Sequence, residues 1–122
     1  MNKVIFALIS CLSVSCFADN CDKPRDDFDG LYCMNKIYMK ADEDLNASFK
    51  ELKGLLKPDE KKVLISTQLK WIEDRNTSCS IKNEKGFWVN LGCVKDTTIN
   101  RTNILNDRIR ECKATGCQPS KL

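Results

Sequence analysis

The fold is decided by residues 33–79, which read CMNKIYMKADEDLNASFKELKGLLKPDEKKVLISTQLKWIEDRNTSC. Ahead of Pro58, small and apolar side chains recur at steps of three and four residues, the spacing of one helix face. They are Cys33, Ile37, Ala41, Leu45, Ser48, Phe49, Leu52 and Leu56. Pro58 ends this helix, because the residue before a proline resists helical geometry.

A second helix is predicted directly after Pro58. Asp59 and Glu60 fall in its first turn, where negative charge suits the helix dipole. Its predicted inner face carries Leu64, Gln68, Trp71, Ile72, Arg75 and Cys79. Two helices joined by so short a break predict an antiparallel helical hairpin.

A third helix is predicted over residues 91–112, with Val94, Thr98, Arg101, Leu105 and Ile109 along one side. Residues 83–92 are predicted to form a loop, whose Phe87, Trp88 and Val89 are expected to fold back over the core. The sequence thus predicts an all-α fold, a three-helix antiparallel bundle made of a helical hairpin plus a third helix.

Residues 1–18 have the pattern of a signal peptide. Lys3 is followed by the apolar residues 4–14, and Cys16 and Ala18 are the small residues that a signal peptidase reads. The apolar run is shorter than the roughly 20 residues that span a bilayer, so we expect cleavage after Ala18, not stable membrane insertion. A lipoprotein modified at Cys11 or Cys16 is less favoured, because neither cysteine follows a well-formed apolar run. A single helical domain over residues 19–122 is the resulting prediction.

Cleavage leaves six of the eight cysteines, an even number that implies disulfides in an exported chain. They are Cys21, Cys33, Cys79, Cys93, Cys112 and Cys117. Folding at Pro58 places the first four at the open end of the hairpin, whereas Cys112 lies about 28 Å further along helix three. Cys112 is therefore expected to pair with Cys117. Three pairings remain for the other four cysteines, and Cys33–Cys79 with Cys21–Cys93 is favoured.

Several function classes are disfavoured by composition. The net charge of +3 falls to +2 without Lys3, which is too near neutral to indicate a nucleic-acid partner. The sequence has no histidine and no CxxC pair, so neither a zinc site nor a Ser/His or Cys/His catalytic arrangement is expected. No nucleotide-binding glycine motif is present. We expect neither an enzyme nor a bound cofactor.

The order of residues resembles the LprI-type lysozyme inhibitor domain of exported bacterial proteins, over residues 21 to 110. The residues that carry the resemblance are Cys33, Ala41, Asp42, Leu45, Asn46, Phe49, Leu52, Leu64, Gln68, Trp71, Arg75, Cys79, Gly92, Cys93, Thr97, Arg101 and Leu105. The resemblance implies a helical, disulfide-bonded periplasmic or secreted domain, in a family with at least one member that inhibits animal-type lysozyme. The pair Cys112 and Cys117 departs from the family pattern.

Four polar residues among these are interpreted as structural. Asp42, Asn46, Arg75 and Arg101 lie at or beside the apolar stripes, and a buried arginine needs charged or polar partners. We expect them to form one polar network that joins the helices, and Arg75→Ala to lower the melting temperature. Trp71 is expected to be a core residue.

The function expected from the resemblance is binding, with lysozyme as the candidate protein partner. Candidate contacts are the acidic leader with Asp26, Asp27 and Asp29, and the loop with Phe87 and Trp88. The alternative is a non-inhibitory accessory protein of the envelope, such as an adaptor or immunity partner. A lipid-binding domain is less favoured, because each helix offers a single apolar stripe.

Overall fold

The computed structural model describes residues 21–122. The elements in chain order are α1 (Asp27–Leu55), α2 (Pro58–Ser78), β1 (Ser80–Asn83), β2 (Gly86–Val89), α3 (Leu91–Thr115) and a short 3-10 helix (Pro119–Lys121). The three predicted helices are confirmed: α1 ends just before the predicted break at Pro58, α2 begins there, and α3 begins at Leu91 as predicted. The predicted signal peptide lies outside the described residues.

The helix boundaries follow from local chemistry. Glu60 accepts a hydrogen bond from the backbone N–H of Lys57 at 2.8 Å, which satisfies a free donor at the start of α2. Asn90 does the same for α3, because its side-chain oxygen accepts from the N–H of Cys93 at 3.0 Å. At the other end of α3, Gly116 has a φ of +93°, a conformation that favours glycine and ends the helix.

Contacts between α1 and α3 give the direction of the helices. Ser48 donates to the side chain of Asn106 at 2.8 Å, and further along Glu51 pairs with Lys113 at 2.6 Å. Because the contacts advance in the same direction along both helices, α1 and α3 run parallel. The helix that lies between them in the sequence, α2, runs antiparallel to both. This is the predicted three-helix bundle. Its closest pair is α1 with α3, whereas α2 stands further off.

The seam between α1 and α3 is lined by small residues. Ala41 and Ser48 of α1 and Thr98 and Thr102 of α3 are all buried. The threonine hydroxyls donate to carbonyls of their own helix, Thr98 to Val94 at 2.7 Å and Thr102 to Thr98 at 3.0 Å. These bonds satisfy the buried hydroxyl donors, so the two helix backbones approach closely at little polar cost.

The hydrophobic core joins α2 to this seam. Its buried residues are Leu45, Leu52, Leu56, Leu64, Leu105 and Ile109, with Phe49 and Trp71 packed against them. The predicted core position of Trp71 agrees with this packing. Ile37, which the stripe placed on the inner face, is 48% exposed. It lies beside the half-exposed Ile99 and the cysteines of the first disulfide, where no third element of residues 21–122 covers α1.

The disulfides differ from the favoured pairing. Cys21 bonds to Cys33 and Cys79 to Cys93, which is another of the three alternatives, while Cys112 bonds to Cys117 as predicted. The favoured bond between Cys33 and Cys79 is wrong because it required α1 and α2 to approach closely. Large side chains hold α2 away from α1. Cys33 therefore bonds to Cys21, which precedes α1, and Cys79 at the end of α2 bonds to Cys93 at the start of α3.

Residues 80–89 form a β-hairpin in place of the predicted loop. Ile81 pairs with Trp88 and Lys82 with Phe87, in an antiparallel register closed by the turn at Glu84 and Lys85. Phe87, Trp88 and Val89 are exposed and do not fold back over the core. Pairing with β1 satisfies the backbone of this segment, and its side chains stay exposed apart from a small pocket that Ile81, Trp88 and Val89 share with Cys79.

We expect Leu52→Ala to lower the free energy of unfolding by about 2–5 kcal/mol, because Leu52 is fully buried where the three helices meet. Leu69→Ala is the matched control, since Leu69 is 62% exposed and should change the value by no more than about 0.5 kcal/mol. Urea denaturation followed by circular dichroism measures both. Equal losses would contradict the assignment of the core.

Candidate binding surfaces

The acidic leader is largely engaged in starting α1. Asp26 caps the helix, because its side chain accepts from the N–H of Asp29 at 2.8 Å. Asp29 in turn receives two hydrogen bonds from the guanidinium of Arg25, at 2.7 and 3.2 Å. These bonds hold the pKa of the Asp29 carboxyl below its ordinary value. Asp27 is the third predicted contact residue of the leader, and it lies exposed in the first turn of α1.

The hairpin presents the other predicted contacts, Phe87 and Trp88, on its second strand. Phe87 is 62% exposed and Trp88 48% exposed. The ring of Trp88 lies over Gly86, where an added Cβ would be 3.5 Å from its Cη2 atom. Gly86 also has a φ of +146°, which other residues rarely adopt, so glycine is required for this turn.

A hydrogen bond and a disulfide hold the two strands together at the base of the hairpin. The N–H of Asn90 donates to the carbonyl of Cys79 at 2.8 Å, and the disulfide joins Cys79 to Cys93 just beyond it. At the tip, the side-chain oxygen of Asn83 accepts from the N–H of Lys85 at 2.8 Å, which fixes the turn. The hairpin is therefore held at both ends although it packs little against the bundle.

The predicted polar network is not a single network. Asn46 donates to Asp42 at 3.1 Å within α1, and Arg75 donates to its neighbour Asn76 at 3.0 Å. The Arg75 guanidinium also lies 5.0 Å from the centre of the Trp71 ring. Asp42 and Arg75 both line the groove between α1 and α2, and no hydrogen bond joins them among the described residues. The prediction that Arg75→Ala lowers the melting temperature then rests on the contacts of Arg75 with Asn76 and with the Trp71 ring.

Arg101 makes the one link between helices in this set. Its Nε donates to the side-chain oxygen of Gln68 at 3.0 Å, joining α3 to α2. Its Nη2 is buried and has no acceptor among the described residues. Burial lowers the pKa of Arg101 from its ordinary value, because it disfavours the charged form of the guanidinium. The hydrogen bond to Gln68 offsets part of this desolvation cost.

A groove of about 400 Å³ runs between α1 and α2. Its polar lining residues are Asp42, Asn46, Gln68 and Arg75, which were just described, together with Lys53. The apolar lining residues are Leu45, Phe49, Ile65, Leu69, Trp71 and Ile72. The groove exists because the large residues between the two helices keep them apart. Sequence periodicity identified most of these residues but could not show the gap.

The cysteines, the acidic groups and the helices of the described residues can each be checked for a reactive, metal-binding or membrane-spanning role. All six cysteines within residues 21–122 are disulfide-bonded. In that same range, no group of three or more acidic or cysteine side chains is placed to hold a metal ion. None of the helices found there combines the length and hydropathy needed to cross a membrane.

Comparison with known proteins gives one match. A family model described as "Lysozyme inhibitor LprI" matches residues 21–105. The match begins at the first disulfide cysteine and ends in the middle of α3, so it takes in α1, α2 and the hairpin. Cys112 and Cys117 lie beyond it. No curated protein and no solved structure is significantly similar to the chain.

Arg25→Gln is expected to raise the pKa of Asp29 towards its ordinary value, because the hydrogen bonds from Arg25 are the main cause of its lowering. The stabilisation from this pair is present above the ordinary pKa of Asp29 and is lost as the pH falls through the lowered value. NMR titration of the carboxyl measures the shift. A pKa that stays low in the variant would show that Arg25 does not hold Asp29.

Gln68→Leu should destabilise the protein by about 1–3 kcal/mol, because it leaves the half-buried guanidinium of Arg101 without its acceptor. Adding Arg101→Met to Gln68→Leu should recover most of that loss, since an apolar side chain needs no partner. Chemical denaturation of both single variants and the double variant forms the test. If the changes in unfolding free energy of the two single variants simply add in the double variant, the hydrogen bond between Arg101 and Gln68 contributes nothing to stability.

Proposed function

Because the chain belongs to the LprI family of lysozyme inhibitors, we propose that it is an exported envelope protein that binds animal-type lysozyme and blocks its activity. The observation that carries the proposal is the family match over residues 21–105. That range contains four of the six disulfide cysteines and all of the exposed hairpin. The protein acts in this proposal as a binding partner and catalyses no reaction.

Export is supported by the cysteine chemistry. Disulfides persist in oxidising compartments such as the bacterial periplasm and the outside of the cell, where lysozyme is met. The described chain has three. Residues 1–18 supply the predicted secretion signal, and the periplasm or the medium is the proposed location.

The distribution of exposed apolar residues supports a protein partner. Because α1 and α3 run parallel, the start of α1 and the hairpin before α3 lie at the same end of the bundle. Of the fifteen large apolar side chains exposed among the described residues, seven lie at this end: Phe28, Leu31, Tyr32, Ile81, Phe87, Trp88 and Val89. Grouped exposed apolar side chains are typical of protein interfaces. The two disulfides Cys21–Cys33 and Cys79–Cys93 hold the backbone beneath them.

The test is a lysis assay with the oxidised protein lacking residues 1–18. We expect the rate at which animal lysozyme clears a suspension of bacterial cells to fall as the protein is added, with full inhibition at molar excess. The control is the same preparation reduced and alkylated, which should inhibit less because its binding end is no longer held.

Undiminished lysis at molar excess of the oxidised protein would overturn the proposal. Recovery of a different envelope protein in a pull-down, with lysozyme still active, would then support the accessory role.

A further inference from the structure

The hairpin of β1 and β2 combines exposed apolar side chains with exposed positive charge. Phe87, Trp88 and Ile81 are exposed on its strands. Lys82 lies directly across from Phe87 in the register, and Lys85 stands in the turn, both exposed. Aromatic residues dominate the energetics of protein interfaces, and lysines beside them add a preference for a negatively charged partner.

The hairpin is also prepared for binding without further folding. Its base is closed by the Asn90–Cys79 hydrogen bond and the Cys79–Cys93 disulfide, and its turn is fixed by Asn83. A segment already held in its bound shape loses less conformational entropy on association. With four paired residues in each strand it reaches about 13 Å from its base, and the two strands together form a narrow ribbon.

These features match the substrate cleft of a lysozyme. A glycosidase holds two carboxyl groups on either side of the bond that it cleaves. In lysozyme one of these carboxyls lies in a hydrophobic pocket beside an aromatic ring, so apolar and negative surface meet in the same cleft. A ribbon that carries aromatic rings and lysines complements both.

We propose that residues 80–89 enter this cleft, with Lys82 and Lys85 facing the catalytic carboxylates and Phe87 and Trp88 occupying the space of sugar rings. The inference rests on the proposed function and adds the contact surface and the mode of inhibition. The inhibitor then competes with the polysaccharide for the cleft.

The acidic leader fits this role less well. Asp26 caps α1 and Asp29 is bound by Arg25, so both carboxylates are already engaged in the fold. Their charge would also oppose entry into a cleft that contains carboxylates. At the hairpin tip, the exposed Lys82 and Lys85 outweigh the single exposed carboxylate of Glu84, so the net charge there is positive.

The experiment compares two charge-matched double variants in the lysis assay. K82E/K85E reverses the charge of the hairpin tip, and K50E/K62E makes the same change in net charge at exposed lysines near the other end of the bundle. We expect the hairpin variant to weaken inhibition by about tenfold or more, and the control variant to stay within about threefold of the parent. K82R/K85R, which keeps the charge, should inhibit like the parent.

Two further measurements show whether a variant inhibits less because it has lost its contact with lysozyme or because it no longer folds. Circular dichroism and peptide mapping of Cys79–Cys93 show whether each variant keeps its helices and the clamp. Should K82E/K85E fail to fold, F87S/W88S takes its place, because both side chains are exposed and off the core. A soluble N-acetylglucosamine oligomer that fills the cleft should displace the parent protein from lysozyme.

The outcomes divide cleanly between the two proposals. If the parent inhibits, while K82E/K85E or F87S/W88S inhibits equally well or the oligomer does not compete, the hairpin inference is overturned and the proposed function stands. If the parent does not inhibit lysozyme, both fall. Loss of inhibition confined to the hairpin variants, with competition by the oligomer, supports both.

Discussion

The close approach of α1 and α3 is the constraint on which the other features depend. Buried small residues, Ala41 and Ser48 on one side and Thr98 and Thr102 on the other, let two parallel helices pack with little space between them. The remaining helix, α2, then covers this pair with large side chains from a greater distance. That difference in spacing explains both the groove beside Trp71 and the absence of a disulfide between α1 and α2.

Helix existence and direction could be predicted because they depend on local patterns. The spacing of Leu45, Leu52 and Leu56 and the break at Pro58 do not need the rest of the chain to be interpreted. The same pattern assigned Ile37 to the core, although about half of this residue stays exposed in the described part of the chain. Periodicity identifies a face of a helix, whereas burial also requires a neighbour of the right length.

The pairing of cysteines and the hairpin could not be derived in the same way. The number of residues along each helix placed four cysteines at the same end of the bundle. The choice among their three possible pairings depends on the distance between the helices. That distance is set by the volume of side chains such as Phe49 and Trp71. The hairpin left a weak signal in the residues around Gly86, where aromatic and β-branched side chains flank a turn. Both candidate contact regions were identified from composition, and their geometry separates them, since the leader starts a helix and the hairpin projects.

The three disulfides each join consecutive cysteines along the chain, with sequence separations of 12, 14 and 5 residues. For a chain that emerges from a translocation pore with its N-terminus first, each cysteine meets its correct partner before the next pair arrives. An oxidant that acts on cysteines in the order of their appearance therefore makes the native bonds, with no non-native bond to rearrange. Pairing of consecutive cysteines is thus compatible with oxidation in the order in which the cysteines leave the pore.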